Sequence, residues 1–383
     1  MKKIFLTTIA LLSIVSASVF GMYGVNSGDW IQFLTHGNQF RARVQQLGFT
    51  LGNDTIKGTF GFFNNGRGAW GSMLSQSTAA GEAGTGLYYD FTPTISMGLA
   101  YTSSLISVGV GYNATIGPRW TKYNGKTEGK KTEAVVHTPV LVLNAMDNAF
   151  RMAIPIQVYV NNDKFSDAAG GGYDNEMAVS VDSQFRYYTG LDALPQVRLF
   201  LRYGLYQNES KADKDAKKEK QKYAESFGFD FRLYFGSMVE EVALQPYVKL
   251  AYNGALGKYH SMTRVEAVKF MENLYDASSA LPTYEKSAWD LQLVAGLGLT
   301  ANSDIVSLYL EPTLGLKVNQ AGSATDKNAK EVYSLGYGVY AEIYITPLKN
   351  LEWYFEAQLG SGANQNSLVF NGTTGITWYL PAL

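Results

Sequence analysis

The chain has 383 residues, of which 46% are hydrophobic and only 17% charged, with 26 tyrosines, 39 glycines and no cysteine. Its formal net charge of −1 excludes a nucleic-acid binder, because phosphate recognition needs clustered excess cation. The lack of cysteine excludes a disulfide framework and a thiolate zinc site, so the fold must hold without cross-links.

Lys2 and Lys3 precede an apolar stretch over 4–15 and small residues over 16–21. That order is a secretory signal peptide, expected over 1–21, with cleavage after Gly21 or near Ala17. The apolar run is shorter than the about 20 residues a membrane helix needs, and no later run is long enough either. Residues 22–39 form an N-terminal segment in which 30–34 is a candidate first strand.

From Phe40 to the end, over 40–383, apolar and polar residues alternate with period two and no linker divides the chain. Near 150 the apolar set is Phe150, Met152, Ile154, Ile156, Val158 and Val160, with Arg151, Ala153, Gln157 and Tyr159 between. Met177, Val179, Val181, Phe185 and Tyr187 continue it, then Val197, Leu199, Leu201, Tyr203 and Leu205, then Phe227, Phe229, Phe231, Leu233 and Phe235. Further runs cover 242–252, 289–299, 306–318, 335–345 and 353–359, and the last contains Ile376, Trp378 and Leu380. Successive side chains of a strand point to opposite faces, so each run has one apolar and one polar face.

Three features separate a membrane barrel from a soluble sandwich. The runs last about ten residues, the length a tilted membrane strand needs. Aromatics gather near run ends, at Tyr101, Tyr159, Tyr187, Tyr188, Tyr206, Tyr252, Trp353 and Trp378, as girdles would place them. Short connections (53–54, 92–93, 146–148, 236–240, 302–303, 346–349) alternate with long ones (64–83, 161–176, 208–222, 254–286, 319–331). Brief periplasmic turns against long outer loops mark outer-membrane barrels. The expected fold is all-β, a transmembrane antiparallel up-and-down barrel of about 16 strands, roughly 14–18, with long extracellular loops. About seventeen candidates can be read from Phe40 onward; 30–34 would supply an even number, or 84–124 holds fewer than read.

Met22-Tyr23-Gly24, Asp29-Trp30-Ile31, Phe33-Leu34-Thr35, the stretch Gly37 to Arg43, Gln46-Leu47-Gly48-Phe49 and Thr55 to Phe62 open the chain, and Gly375 to Leu383 closes it. These motifs resemble the variable surface proteins of intestinal spirochaetes. The resemblance implies an abundant surface-exposed outer-membrane protein, present in related copies and met by host antibodies. It implies no reaction and no catalytic residues.

The residues themselves support no enzyme. The three histidines are His36, His137 and His260; His260 with Glu272 or Asp276 on one loop reads as solvated rather than catalytic. Gly170-Gly171-Gly172 lacks the lysine and hydroxyl of a phosphate cradle. No catalytic, cofactor-binding or metal residue is assigned.

The polar faces are more informative. Arg151, Arg186, Arg198, Arg202 and Arg232 fall on four consecutive strands, and Asp290, Glu311, Glu342, Glu352 and Glu356 on four later ones. Around an up-and-down barrel these become a basic wall facing an acidic wall, a pore lining that would set what passes. Asp182 and Asp230 would neutralise part of the basic wall, and a lumen filled by paired charges is the alternative. Segment 209–222 reads as a solvated charged loop. Thr263 and Glu266 stand at capping-box spacing before Val265, Val268, Met271, Leu274 and Tyr275, so a short helix is expected near 263–276, across the mouth or as a surface cap. Segment 64–83 is a second candidate for folding inwards.

The sequence thus points to a surface-exposed outer-membrane barrel with variable outer loops and a porin-like lumen. A dedicated general-diffusion porin and a structural or adhesive protein with a blocked lumen are the alternatives. The partners are the lipid bilayer, small hydrophilic solutes and host antibodies; a monomer and a trimer both fit.

Overall fold

The computed structural model describes residues 23–43, 46–64, 76–77, 88–89, 93–123, 126–161, 165–166, 172–211, 217, 219–257, 262–272, 284–323, 325–361 and 368–381. The expected signal peptide, nearly all of segment 64–83, His260 and Asp276 lie outside them.

The chain forms a closed antiparallel barrel of 16 strands. In order these are β1 (Gln39–Arg43), β2 (Gln46–Gly52), β3 (Ile56–Asn64), β4 (Pro93–Tyr101), β5 (Ile106–Tyr123), β6 (Lys126–Ala145), β7 (Phe150–Asn161) and β8 (Gly172–Tyr188). The second half is β9 (Gln196–Lys211), β10 (Glu219–Tyr234), β11 (Val242–Ala255), β12 (Trp289–Asn302), β13 (Val306–Gln320), β14 (Val332–Leu348), β15 (Leu351–Ser361) and β16 (Leu368–Tyr379). Sequence neighbours pair throughout, and β1 closes the wall against β16, with Gln39 opposite Tyr379 and Arg43 opposite Gly375. Phe165–Ser166 and Ser237–Val239 only lengthen hairpins at the rims.

The alternation explains the wall. On β7, Arg151, Ala153, Gln157 and Tyr159 are buried while Ile156 and Val160 are exposed. On β13, Leu308, Leu310, Leu314 and Leu316 all face outwards, Leu314 at 54% exposure. A water-soluble sheet would bury those leucines; a barrel in lipid presents them to the acyl chains. Lipid offers no hydrogen-bond partner to the backbone, so the sheet must close on itself.

Several expectations change in detail. Pro93 begins β4, opposite Asn64 at the end of β3, rather than marking a short turn. The described residues before it, Tyr88–Tyr89, pair with Gln76–Ser77 in a separate two-stranded sheet that is not part of the barrel wall, which removes the surplus strand. Much of the charged 208–222 segment is strand: the β9–β10 hairpin runs on through Asn208 opposite Gln221, Glu209 opposite Lys220 and Ser210 opposite Glu219, the Glu209–Lys220 pair setting opposite charges across the strands. Tyr159, Tyr188 and Tyr206 share the inward parity and are not girdle members, whereas Tyr101, Tyr187, Trp353 and Trp378 do face outwards. Residues 30–34 are not a strand. Ser27–Trp30 form a helical turn, α1, that continues in turns to Thr35 and sits inside the barrel.

The wall is uneven. β1 and β2 have only 5 and 7 residues, against 18 and 20 in β5 and β6.

Candidate functional site

The inner face carries a row of cations in direct cross-strand register. Arg186 lies opposite Arg151 on one side and Arg198 on the other; Arg198 is opposite Arg232, and Arg232 opposite Lys249. Like charges directly opposite destabilise a sheet, so this row is held by its surroundings. Arg232 donates to both oxygens of Asp230 at 2.8 Å. Arg202, two inward positions nearer the outer rim than Arg198, pairs with Asp182 at 3.3 Å. Arg198 stacks over Tyr234 at 4.4 Å and Arg151 over Tyr188 at 4.7 Å. Among the described residues Arg151 and Arg186 have no ion-pair partner.

Glu311, Glu342, Glu352 and Glu356 occupy the inner face of β13–β15. Here phenols, not arginines, satisfy most carboxylates. Glu311 accepts from Tyr247 at 2.9 Å and from Tyr309, and Glu342 accepts from Tyr344 at 3.0 Å and from Tyr340. Tyr379 donates to Glu352 at 3.2 Å. Neutral donors support the charge of a carboxylate without cancelling it, so the two walls stay electrically distinct. Glu356 lies 3.3 Å from Arg43, whose guanidinium also lies 4.4 Å over the Tyr354 ring. Asp290 stands apart near the outer end of β12, where it accepts from Asn253 at 3.3 Å.

Two inserts occupy the opposite half of the lumen. The first is the N-terminal segment. Trp30, Ile31, Phe33 and Leu34 are buried against Ala100, Val140, Val142 and Ala153 of the inner wall. Gly98, Gly109 and Gly111 make room; a Cβ on Gly98 would stand 2.9 Å from the Trp30 ring, and one on Gly111 would overlap it. Trp30 Nε1 donates to Gly24 O at 2.8 Å, Asn113 Nδ2 donates to the same oxygen at 2.6 Å, and Lys57 Nζ donates to Leu34 O and His36 O. Burial raises the Asp29 carboxyl to about 7, against backbone hydrogen bonds and Arg43 that pull it down.

The second insert comes from the β11–β12 connection, whose described helix, α2, spans Ala267–Glu272. Val265 and Ala267 pack against Val136, Tyr159, Ala178, Tyr206 and Ala224. Inner-wall side chains meet its backbone: Val265 N donates to Ser226 Oγ at 2.8 Å, Ala267 N to Ser180 Oγ at 2.9 Å and Val268 N to Gln157 Oε1 at 3.2 Å. Arg264 reaches Asp182 at 3.0 Å. Of the two placements left open, the helix therefore takes the inward one, starting at Ala267 rather than at 263. The facing wall is barer: Lys317, Gln358 and Asn371 are exposed on the inner face, beside Gly315, Gly336 and Gly360.

The histidines assemble no catalytic group among the described residues. His36 Nδ1 is 2.9 Å from the Tyr23 hydroxyl in the N-terminal insert, where burial and neighbouring cations depress its proton affinity. His137 lies on the outward face of β6, bonded to Tyr112.

A family model described as Serpulina hyodysenteriae variable surface protein matches residues 2–379. The chain belongs to this family. It is therefore a variable surface protein, an outer-membrane β-barrel exposed at the cell surface. Curated proteins include no match. Among solved structures, a loop L8 deletion mutant of OmpT, an outer membrane protein of Vibrio cholerae, is 11% identical over 90% of this chain and 97% of its own, with a TM-score of 0.34. The translocator domain of the autotransporter NalP from Neisseria meningitidis is 12% identical over 92% of each chain, at a TM-score of 0.32. The outer membrane channel DcaP of Acinetobacter baumannii is 10% identical over 88% of this chain and 98% of its own, at 0.33.

In this variable surface protein, three cations of the inner face escape the sequence reading. Lys249 completes the row and is visible in the parity of its strand. Arg41 and Arg43 are inward on β1, and barrel closure brings them next to the acidic wall, a neighbourhood that a linear chain does not display.

Proposed function

We propose that the variable surface protein presents its outer loops as the variable, antibody-facing part of the molecule, and that the space between its charged walls conducts small hydrophilic solutes. One observation carries the second half: the acidic wall is satisfied mainly by tyrosine hydroxyls while Arg151 and Arg186 lack carboxylate partners among the described residues, so the walls are not consumed by pairing with one another. Charged walls on a water-filled lumen select by sign. The test is a planar-bilayer recording of the purified, folded barrel. Discrete conductance steps are expected, and Arg198→Ala with Arg202→Ala should move the preference towards cations. Folded protein that inserts but stays silent would overturn conduction.

A second reading, a structural or adhesive barrel with a blocked lumen, is favoured by the two inserts packed over β4–β10. It is recognised by a silent wild type that conducts once the N-terminal segment is released by Trp30→Ala. Cleavage of intact cells within the lysine-rich 209–222 segment tests surface exposure independently.

A further inference from the structure

The corner of the lumen where β7, β8 and β9 meet the N-terminal segment is built from donors. Arg151, Arg186 and Arg198 stand side by side in register and are 8%, 4% and 6% exposed. Each is clamped by the oxygen of a glutamine. Arg198 Nε donates to Gln196 Oε1 at 2.8 Å, and Arg151 Nη1 donates to Gln32 Oε1 at 2.5 Å. Gln184, with its amide oxygen turned to the guanidinium, accepts from Arg186 Nε at 2.9 Å and Nη2 at 3.1 Å.

This repeated arrangement spends the glutamine oxygens, and the acceptors left unpartnered beside the row, Tyr188 Oη and Asn144 Oδ1, are both neutral. Arg186 Nη1, Gln196 Nε2 and Gln32 Nε2 are buried with no hydrogen-bond partner among the described residues. Gln196 is 2% and Gln32 4% exposed, so neither is a surface side chain awaiting solvent. The nearby carboxylates are already engaged: Asp230 by Arg232, and Asp182 by Arg202 and Arg264. Aligned guanidinium groups, of which Arg151 and Arg186 have no carboxylate partner among the described residues, with surplus N–H groups beside them are an incomplete set. Water can accept from the amides but cannot offset the charge. An anion with several oxygens does both, and guanidinium forks match it best.

We propose that this corner binds a doubly charged tetrahedral oxyanion, phosphate or sulfate. The site goes beyond the conduction reading and stands without it, since bound anion needs no through-route. Its net effect is to hold the N-terminal segment, through Gln32, to the cation row.

The experiment uses the full folded barrel in detergent, freed of phosphate and sulfate. Equilibrium dialysis with radiolabelled phosphate or sulfate should give saturable uptake near one per barrel. Thermal unfolding should rise in phosphate or sulfate and not in chloride of matched ionic strength. Arg186→Gln should lower affinity about tenfold or more, the loss expected for one buried charge-assisted contact. Lys317→Gln, on the exposed inner wall, should leave it unchanged. If Arg186→Gln does not fold, Gln196→Leu keeps every charge, removes one leftover donor and should weaken uptake severalfold. Bicelles carrying a phosphate-monoester lipid separate a head group from the free ion: a stabilisation by the lipid alone assigns the site to a head group. No saturable uptake from any of these sources, or equal uptake by the wild type and both corner variants, overturns the proposal.

Discussion

Trp30→Ala tests how firmly the N-terminal segment is seated. Trp30 is 0% exposed, and burying such a ring removes about 150–250 Å² from water, or about 4–6 kcal/mol at about 25 cal/mol per Å². Truncation to alanine in a packed site costs about 3–5 kcal/mol. The lost indole bond adds little, because Gly24 O keeps its bond from Asn113 at 2.6 Å. Each 1.4 kcal/mol is a factor of ten, so the population of undocked segment should grow about a hundredfold to a few thousandfold. The protein has no cysteine, and Ser27 is 1% exposed, so Ser27→Cys is a unique buried reporter. Its labelling by a small hydrophilic maleimide should accelerate by that factor in the Trp30→Ala background while the barrel stays folded. Gly111→Val should do the same from the wall side, since its Cβ would overlap the Trp30 ring. An unchanged labelling rate in both would show that the segment is not held by this contact.

Two further outcomes follow from the same packing. Asp29 holds its proton up to about 7 when docked, against an ordinary 3.8, so the docked state binds protons more tightly. The Asp29 contribution to docking should be greatest in acid and weaken as pH rises from about 4 to 7, levelling above; the buried His36, whose proton affinity docking depresses, acts in the opposite sense as pH falls below 6.5, so the contribution is read as the difference in corrected reporter labelling between the wild type and Asp29→Asn. Arg43→Met leaves Glu356 in the wall without its 3.3 Å partner and should destabilise the barrel by about 3–5 kcal/mol in urea unfolding, with Glu356→Gln in the same chain restoring most of the loss.

The barrel was legible because each strand keeps one greasy and one polar face, a signal that survives errors at its ends. The inserts were not, and the reason is physical. Trp30, Ile31, Phe33 and Leu34 are apolar at both parities, which no strand with one wet face can tolerate; the pattern signals burial on all sides. Its counterpart, the small inward residues Gly98, Ala100, Gly109 and Gly111 on two adjacent strands, reads as a seat only once something is known to sit there. Tyr159 and Tyr206 were placed with the girdle by their position in the run, although their parity already put them inside with Gln157 and Arg202. The cation row could be assigned to the inner face from parity, but its alignment needs the register between strands, which depends on turns that sequence specifies weakly.

Closure joins the two ends of the strand series. Leu380 N donates to Asn38 O, and Asn38 Nδ2 reaches Pro381 O at 2.8 Å. A ring fastened by its first and last members cannot exist while the chain is still being delivered. The N-terminal segment lies inside that ring, yet it is the earliest part to arrive. The unfinished wall must therefore either gather around it or admit it through a mouth before the final seam is sewn.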